Sequence, residues 1–165
     1  MTADTTYVAT RITHDSTHDF DTTRARFDQR VPPLDAAVTV ELVVDEATWE
    51  HVEAAINSRV GSTGLVALCR LDQGALLSLS GQPLDATLYL VGNPLIARQL
   101  TGFEAAAALY APFRAAVFRD QTGVHISYDQ PSSVFASLGS AGIDRIAVEL
   151  DDKIATAAEY ACRGD

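Results

Sequence analysis

Long apolar runs, positive charge and paired cysteines are all scarce in this chain, and each shortage removes a class of function. No apolar stretch approaches the roughly 20 residues that a helix needs to span a bilayer. The opening Met1-Thr-Ala-Asp-Thr-Thr has neither the basic n-region nor the apolar core of a secretory signal, so a cytoplasmic location without membrane association is expected. Only 12 basic residues face 22 acidic ones, eleven of the 12 being Arg and Lys153 the single lysine. A formal charge of -10 repels phosphate backbones and anionic surfaces, which argues against nucleic acid as a partner. Cys69 and Cys162 show no C-x-x-C spacing and no disulfide framework. No G-x-S-x-G elbow, Walker loop or dinucleotide fingerprint occurs, which removes the common nucleophile and phosphate-cradle chemistries. His14-x-x-x-His18, with Asp15 and Asp19, has the residue types of a metal site, but it spans a strand-to-helix junction and reads more simply as loop and N-cap residues. Neither a metal nor a cofactor is expected.

What is present suits one globular domain: 165 residues, 47% of them hydrophobic, are enough to fill a single core. Tyr7, Ala9 and Arg11 alternate with Val8, Thr10 and Ile12, the period of a half-buried strand. Phe20, Thr23, Phe27 and Val31 then recur at helical spacing up to Pro32-Pro33. Val38, Val40, Leu42 and Val44 alternate, so residues 35–44 are read as a strand, although Asp35-Ala36-Ala37 could open a helix. Asp45 is read as the cap of a helix whose apolar stripe is Trp49, Val52, Ile56 and Val60, with Gly61 as its stop. A strand over 65–71, apolar on both faces, is expected at the centre of a sheet. A short helix over 73–80 and a second buried strand over 87–91 follow.

Gly92-Asn93-Pro94 joins three preferences: Gly for a tight exit from the strand, Asn at the N-cap and Pro at the first helical position. The helix runs from Pro94 to about Leu100, and its free N–H groups can hold a carboxylate or phosphate. Asn93 as a plain cap explains the same letters. Residues 113–119 and 124–129 flank Asp120-Gln-Thr-Gly123 and should form a hairpin. A symmetric register puts Arg119 against Val124, Phe118 against His125, Ala116 against Ser127 and Arg114 against Asp129. Arg114 and Asp129 then form either a structural ion pair or a site in which Asp129 orients the guanidinium for an anion. His125 and Asp129 sit four apart on one strand, about 13 Å from each other at the usual rise, so they make no dyad and His125 reads as an exposed strand residue. Ser132 and Ser133 can cap a short helix to Leu138. A last helix over 142–162 has Ile143, Ile146, Ala147, Leu150, Ile154, Ala157 and Ala161 on one face.

Three stretches carry a resemblance: Tyr89-Leu90-Val91-Gly92-Asn93-Pro94, Leu109-Tyr110-Ala111-Pro112-Phe113-Arg114 and Tyr128-Asp129-Gln130-Pro131-Ser132-Ser133. They resemble the motifs of the bacterial and archaeal domain of unknown function family numbered 302. The likeness is closest over 65–138, looser through the last helix and weakest over 1–44, so 45–138 forms the family-like core. It implies a compact α+β domain, a mixed sheet flanked by helices, that is often a homodimer. Many relatives carry Asp-His where this chain has Asp72-Gln73, so any chemistry resting on that imidazole is absent here. Tyr89, Asn93, Arg114, Tyr128 and Asp129 carry over as motif positions with no catalytic role attached.

Two functions of different kinds follow. The first is a binding domain for a small anionic metabolite, held near the Asn93 helix start and the Arg114/Asp129 face, with Asp72, Tyr89, Tyr110 and Tyr128 as further lining candidates. The alternative is a small lyase, isomerase or hydrolase that uses Asp129, Tyr128 or Asp72 for proton transfer.

Overall fold

The computed structural model describes Thr2 and residues 4–163. Five strands form one sheet in the order β1-β5-β4-β3-β2: β1 Arg11–Ser16, β2 Val66–Asp72, β3 Ala86–Gly92, β4 Phe113–Arg119 and β5 Val124–Asp129. All named pairings are antiparallel, where a mixed sheet was expected, and the parallel contact Pro33–Ala67 is an isolated bridge. Among the described residues, seven α-helices accompany the strands: α1 Phe20–Arg30, α2 Ala36–Val44, α3 Trp49–Asn57, α4 Gln73–Leu77, α5 Pro94–Phe103, α6 Pro131–Phe135 and α7 Ala141–Arg163. The α+β domain, the 113–129 hairpin and the long last helix agree with the sequence reading. No helix among the described residues is long and apolar enough to cross a membrane.

Alternation along the strands divides the sheet into a packed face and an open face. Tyr89, Val91, Ala115, Val117, Ile126 and Tyr128 turn to one side, where they meet Phe20 and Phe27 of α1 and Ile143, Ala147, Leu150 and Ile154 of α7 in one core. The α7 stripe of Ile and Ala lets that helix lie close to the sheet, because small side chains permit near approach.

Four local expectations are corrected. Residues 36–44 are helical, opened by the Asp35 carboxylate, which accepts from the Ala37 N–H at 2.9 Å. The valine alternation there pairs with no strand, and the 32–34 segment covers the β2 edge at Ala67, whose N–H donates to Pro32 O and whose O accepts from the Leu34 N–H, both at 2.9 Å. This cover also explains why β2, apolar at Val66 and Ala67, is an edge strand and not a central one; its far end, Arg70 to Asp72, is exposed. Asp45 closes α2, and Thr48 caps α3. Gly61 is not the stop of α3, whose C-cap is Ser58. Gly61 is needed for close approach, since a Cβ there would lie 2.0 Å from Arg30 O, whereas a Cβ at Gly92 would make only ordinary contacts at 3.6 Å.

Candidate functional site

Strand register arranges the open face in rows. Cys69 pairs with Leu90 and Leu90 with Arg114, while Arg11 pairs with Asp129 on the far side. The next row holds Leu71, Leu88, Ala116, Ser127 and Thr13, and the last holds Ala86, Phe118, His125 and Asp15. The observed hairpin register places Ala115 against Tyr128, Ala116 against Ser127, Phe118 against His125 and Arg119 against Val124.

At the end of the first row the sheet meets the loop before β4 and the start of α6, and together they bound a cleft of about 480 Å³. Its walls include Tyr7, Ala9, Leu90, Leu109, Tyr110, Phe113, Val134 and Phe135, with Arg114 and Asp129 on the sheet side. The same two charged residues line a second hollow of about 430 Å³ that runs down the open face. Tyr110 is packed edge-on between Tyr7 at 6.0 Å and Phe135 at 5.8 Å, ring centre to ring centre. Ser137 Oγ donates to the Tyr110 hydroxyl at 3.3 Å. The Tyr7 phenol is held above its ordinary pKa first by its hydrogen bond with Tyr110 and then by burial; Asp129 adds to the rise and Arg114 opposes it. A phenol so placed stays neutral at physiological pH and offers a hydrogen bond without charge.

Asp129 is engaged by Arg11, whose Nε donates to Asp129 Oδ1 at 3.0 Å and whose Nη2 lies 2.9 Å from the same oxygen. The expected Arg114–Asp129 ion pair is therefore not formed. The reason is tertiary: β5 lies between β4 and β1, so Asp129 has a second neighbouring strand that the hairpin alone does not reveal. Arg114 is exposed and makes no ion pair among the described residues.

Of the seven candidates, Tyr110, Arg114 and Asp129 meet at the cleft, and four go elsewhere. Asn93 spends both ends of its amide, Oδ1 accepting from the Leu95 N–H at 2.8 Å and Nδ2 donating to Gly64 O at 2.9 Å. It lines a separate crevice of about 30 Å³, room for one water, so the α5 start does not face Arg114 across one pocket. Asp72 caps α4 by accepting from the Ala75 N–H at 2.9 Å and borders a different hollow with Arg24 and Arg119. Tyr89 is fully buried on the packed face, edge-on to Phe27, and donates to Asp28 Oδ1 at 3.0 Å. Burial first, then the Asp28 carboxylate, keeps its phenol protonated. Tyr128 also turns to the packed face, stacked on His14, and burial pushes its phenol up to about 12.

The residues the sequence reading missed are Tyr7 and Arg11. Their signal was the alternation that already placed Tyr7, Ala9 and Arg11 on one side; the strand itself begins only at Arg11, but the extended segment before it keeps Tyr7 and Ala9 at the cleft. His125 is a further correction: it is 6% exposed, its Nδ1 2.8 Å from Asp15 Oδ1 and its Nε2 3.1 Å from Asp120 Oδ1 and 3.0 Å from Thr122 Oγ1. Asp15 reaches it because β1 pairs with β5. With both ring nitrogens occupied, this histidine ties the hairpin tip to β1.

A family model, Domain of unknown function DUF302, matches residues 40–161. Among solved structures, the crystal structure of an uncharacterized conserved DUF302 protein from Bacillus stearothermophilus superposes with a TM-score of 0.64 at 14% sequence identity, over 93% of this chain and 98% of that one. That likeness is one of fold. No curated protein matches.

Proposed function

The chain belongs to the DUF302 family, a domain of unknown function, and on that premise we propose that it is a binding domain for a small anionic molecule, held in the cleft between Tyr7, Tyr110 and Arg114. The observation that carries this reading is the Arg114 guanidinium, which lines the cleft while Asp129 is taken by Arg11. A planar cation with its donors free matches a carboxylate or phosphate in two-point geometry. The volume of about 480 Å³ lies in the range of small-molecule sites. Proton-transfer chemistry has less support, since Asp129 is ion-paired, Asp72 caps a helix and Tyr128 turns to the packed face. Native mass spectrometry of gently purified protein tests the reading, followed by titration of the wild type and Arg114→Ala with acetate, benzoate and inorganic phosphate. The reading expects at least a tenfold loss in the variant for whichever anion binds. Equal affinities of the two proteins would remove Arg114 from the site.

The proposal includes a homodimer formed through the open face. That face is apolar across β2 to β4, with Leu71, Leu88, Leu90, Ala116 and Phe118, and carries both Arg11 and Arg114 and the carboxylates Asp15 and Asp129. Two copies related by a twofold can join these apolar side chains, with Arg114 at the rim left to the cleft. Light scattering is expected to give twice the chain mass for the wild type and the single mass for Phe118→Glu; a monomeric wild type ends the dimer reading and leaves the cleft untouched.

A further inference from the structure

Two features of the cleft narrow the chemistry of its ligand beyond "small anion", an inference that rests on the reading above. The first is the charge count. Arg114 is one cation, and the Asp129 carboxylate lines the same cleft. A second negative charge on the ligand would meet Asp129 with only the Arg11 side of that pair to offset it, in a chain already at -10. One negative charge is favoured over two.

The second feature is the wall. Leu109 is 76% exposed and Tyr7 42% exposed, although both border a concave surface shared with Tyr110 and Phe113. Large apolar side chains left open to water around a single guanidinium gain from a ligand that brings its own hydrocarbon. A compact hydrated anion such as phosphate covers none of them. The Tyr7 and Tyr110 rings pack edge-on at 6.0 Å and the Tyr110 hydroxyl accepts from Ser137, so the pair contributes ring surface to the cleft.

We infer that the cleft takes a monoanionic amphiphile: a carboxylic acid with an alkyl or aryl body, its carboxylate on Arg114 and its body across Leu109, Tyr110 and Phe113. Each methylene laid on that wall tightens binding about fourfold when fully buried.

Isothermal titration of the full chain with butanoate, hexanoate, octanoate and decanoate below their aggregation limits, with octanol, succinate and inorganic phosphate for comparison, tests this. Affinity is expected to rise about two- to fourfold per methylene from butanoate to octanoate. Octanoate is expected to exceed octanol by at least tenfold, a gap that Arg114→Gln closes, while Leu109→Ser flattens the chain-length series with the Arg114-dependent gap retained. Phosphate or succinate binding tighter than octanoate through Arg114 would overturn the amphiphile and keep the anion site. No anion binding at all would overturn both. Octanoate affinity unchanged in both variants would place the fatty acid elsewhere and overturn the inference as well; circular dichroism of each variant shows that it is folded.

Discussion

The packed and open faces of the sheet are made by the same strands, residue by alternate residue, yet they are held by different physics. On the packed face Tyr89, Val117 and Ile126 are fully buried against α1 and α7, and two of its tyrosine hydroxyls are engaged, Tyr89 with Asp28 and Tyr128 with His14, while the buried Thr87 hydroxyl has no hydrogen-bond partner. On the open face the neighbours of those residues, Arg114, Ala116, Phe118, Ser127 and Asp129, remain at least partly accessible, and the ion pair that forms there, Arg11–Asp129, has a 70% exposed arginine. Burial on one side supplies the folding free energy. Side chains on the other are thereby free to be chosen for contact with something outside the chain.

Substitutions should separate the two faces. Phe27→Ala removes a fully buried ring that packs on Tyr89 and is expected to cost about 3–5 kcal/mol in urea denaturation. A loss under 1 kcal/mol would mean that α1 is not part of the cooperative core. Tyr89→Phe deletes only the hydroxyl bound to Asp28, which keeps its 2.7 Å contact with Arg70, so about 1 kcal/mol is expected from the same experiment. On the open face, Asp129→Asn should change stability by under about 1 kcal/mol, since exposed ion pairs contribute little. Arg114→Ala should leave stability within about 0.5 kcal/mol. A large loss of stability from Arg114→Ala would mean that this side chain serves the fold, and the division of labour between the faces would fail.

The smallest effect is one of pH. The hydroxyl and the N–H of Thr122 hold the Asp120 carboxyl down to about 2, with His125 adding to the shift. A depressed folded-state pKa means that the contribution is complete above the ordinary carboxylate value, near 3.8, and is lost as pH falls through about 2. Asp120→Asn should therefore flatten the dependence of the urea midpoint on pH between about 4 and 2, leaving the neutral-pH anion affinity of the cleft unchanged. An unaltered pH profile would show that the turn carboxylate is not held in this way.

Several features were legible because local chemistry suffices to set them. The hairpin register follows from Asp120-Gln-Thr-Gly123 and the alternation on either side; α5 follows from Asn93-Pro94; α7 follows from a long stripe of Ile, Leu and Ala. The helix at 36–44 was misread because its valines alternate as a strand would, although none of its residues is buried and no sheet edge receives it. The site was legible in part. Tyr110, Arg114 and Asp129 were found from motif and parity, but Tyr89 and Tyr128 carry the same residue type on the opposite face, Asp72 uses its carboxylate in its own turn, and Asn93 divides its amide between its own helix start and Gly64 O.

By itself, then, the amino-acid sequence determined most of the strands and helices, which side chains share a side along the 113–129 hairpin, and the strong acidic balance of the chain, because periodicity, caps and turns act over a few residues. Only the tertiary structure decided that β1 lies beside β5. That placement joins residues 118 positions apart, takes Asp129 for Arg11, brings Tyr7 against Tyr110 and encloses His125 between Asp15 and Asp120. Such pairings depend on which strand edge remains free once the core has packed, and no local pattern in the sequence records it.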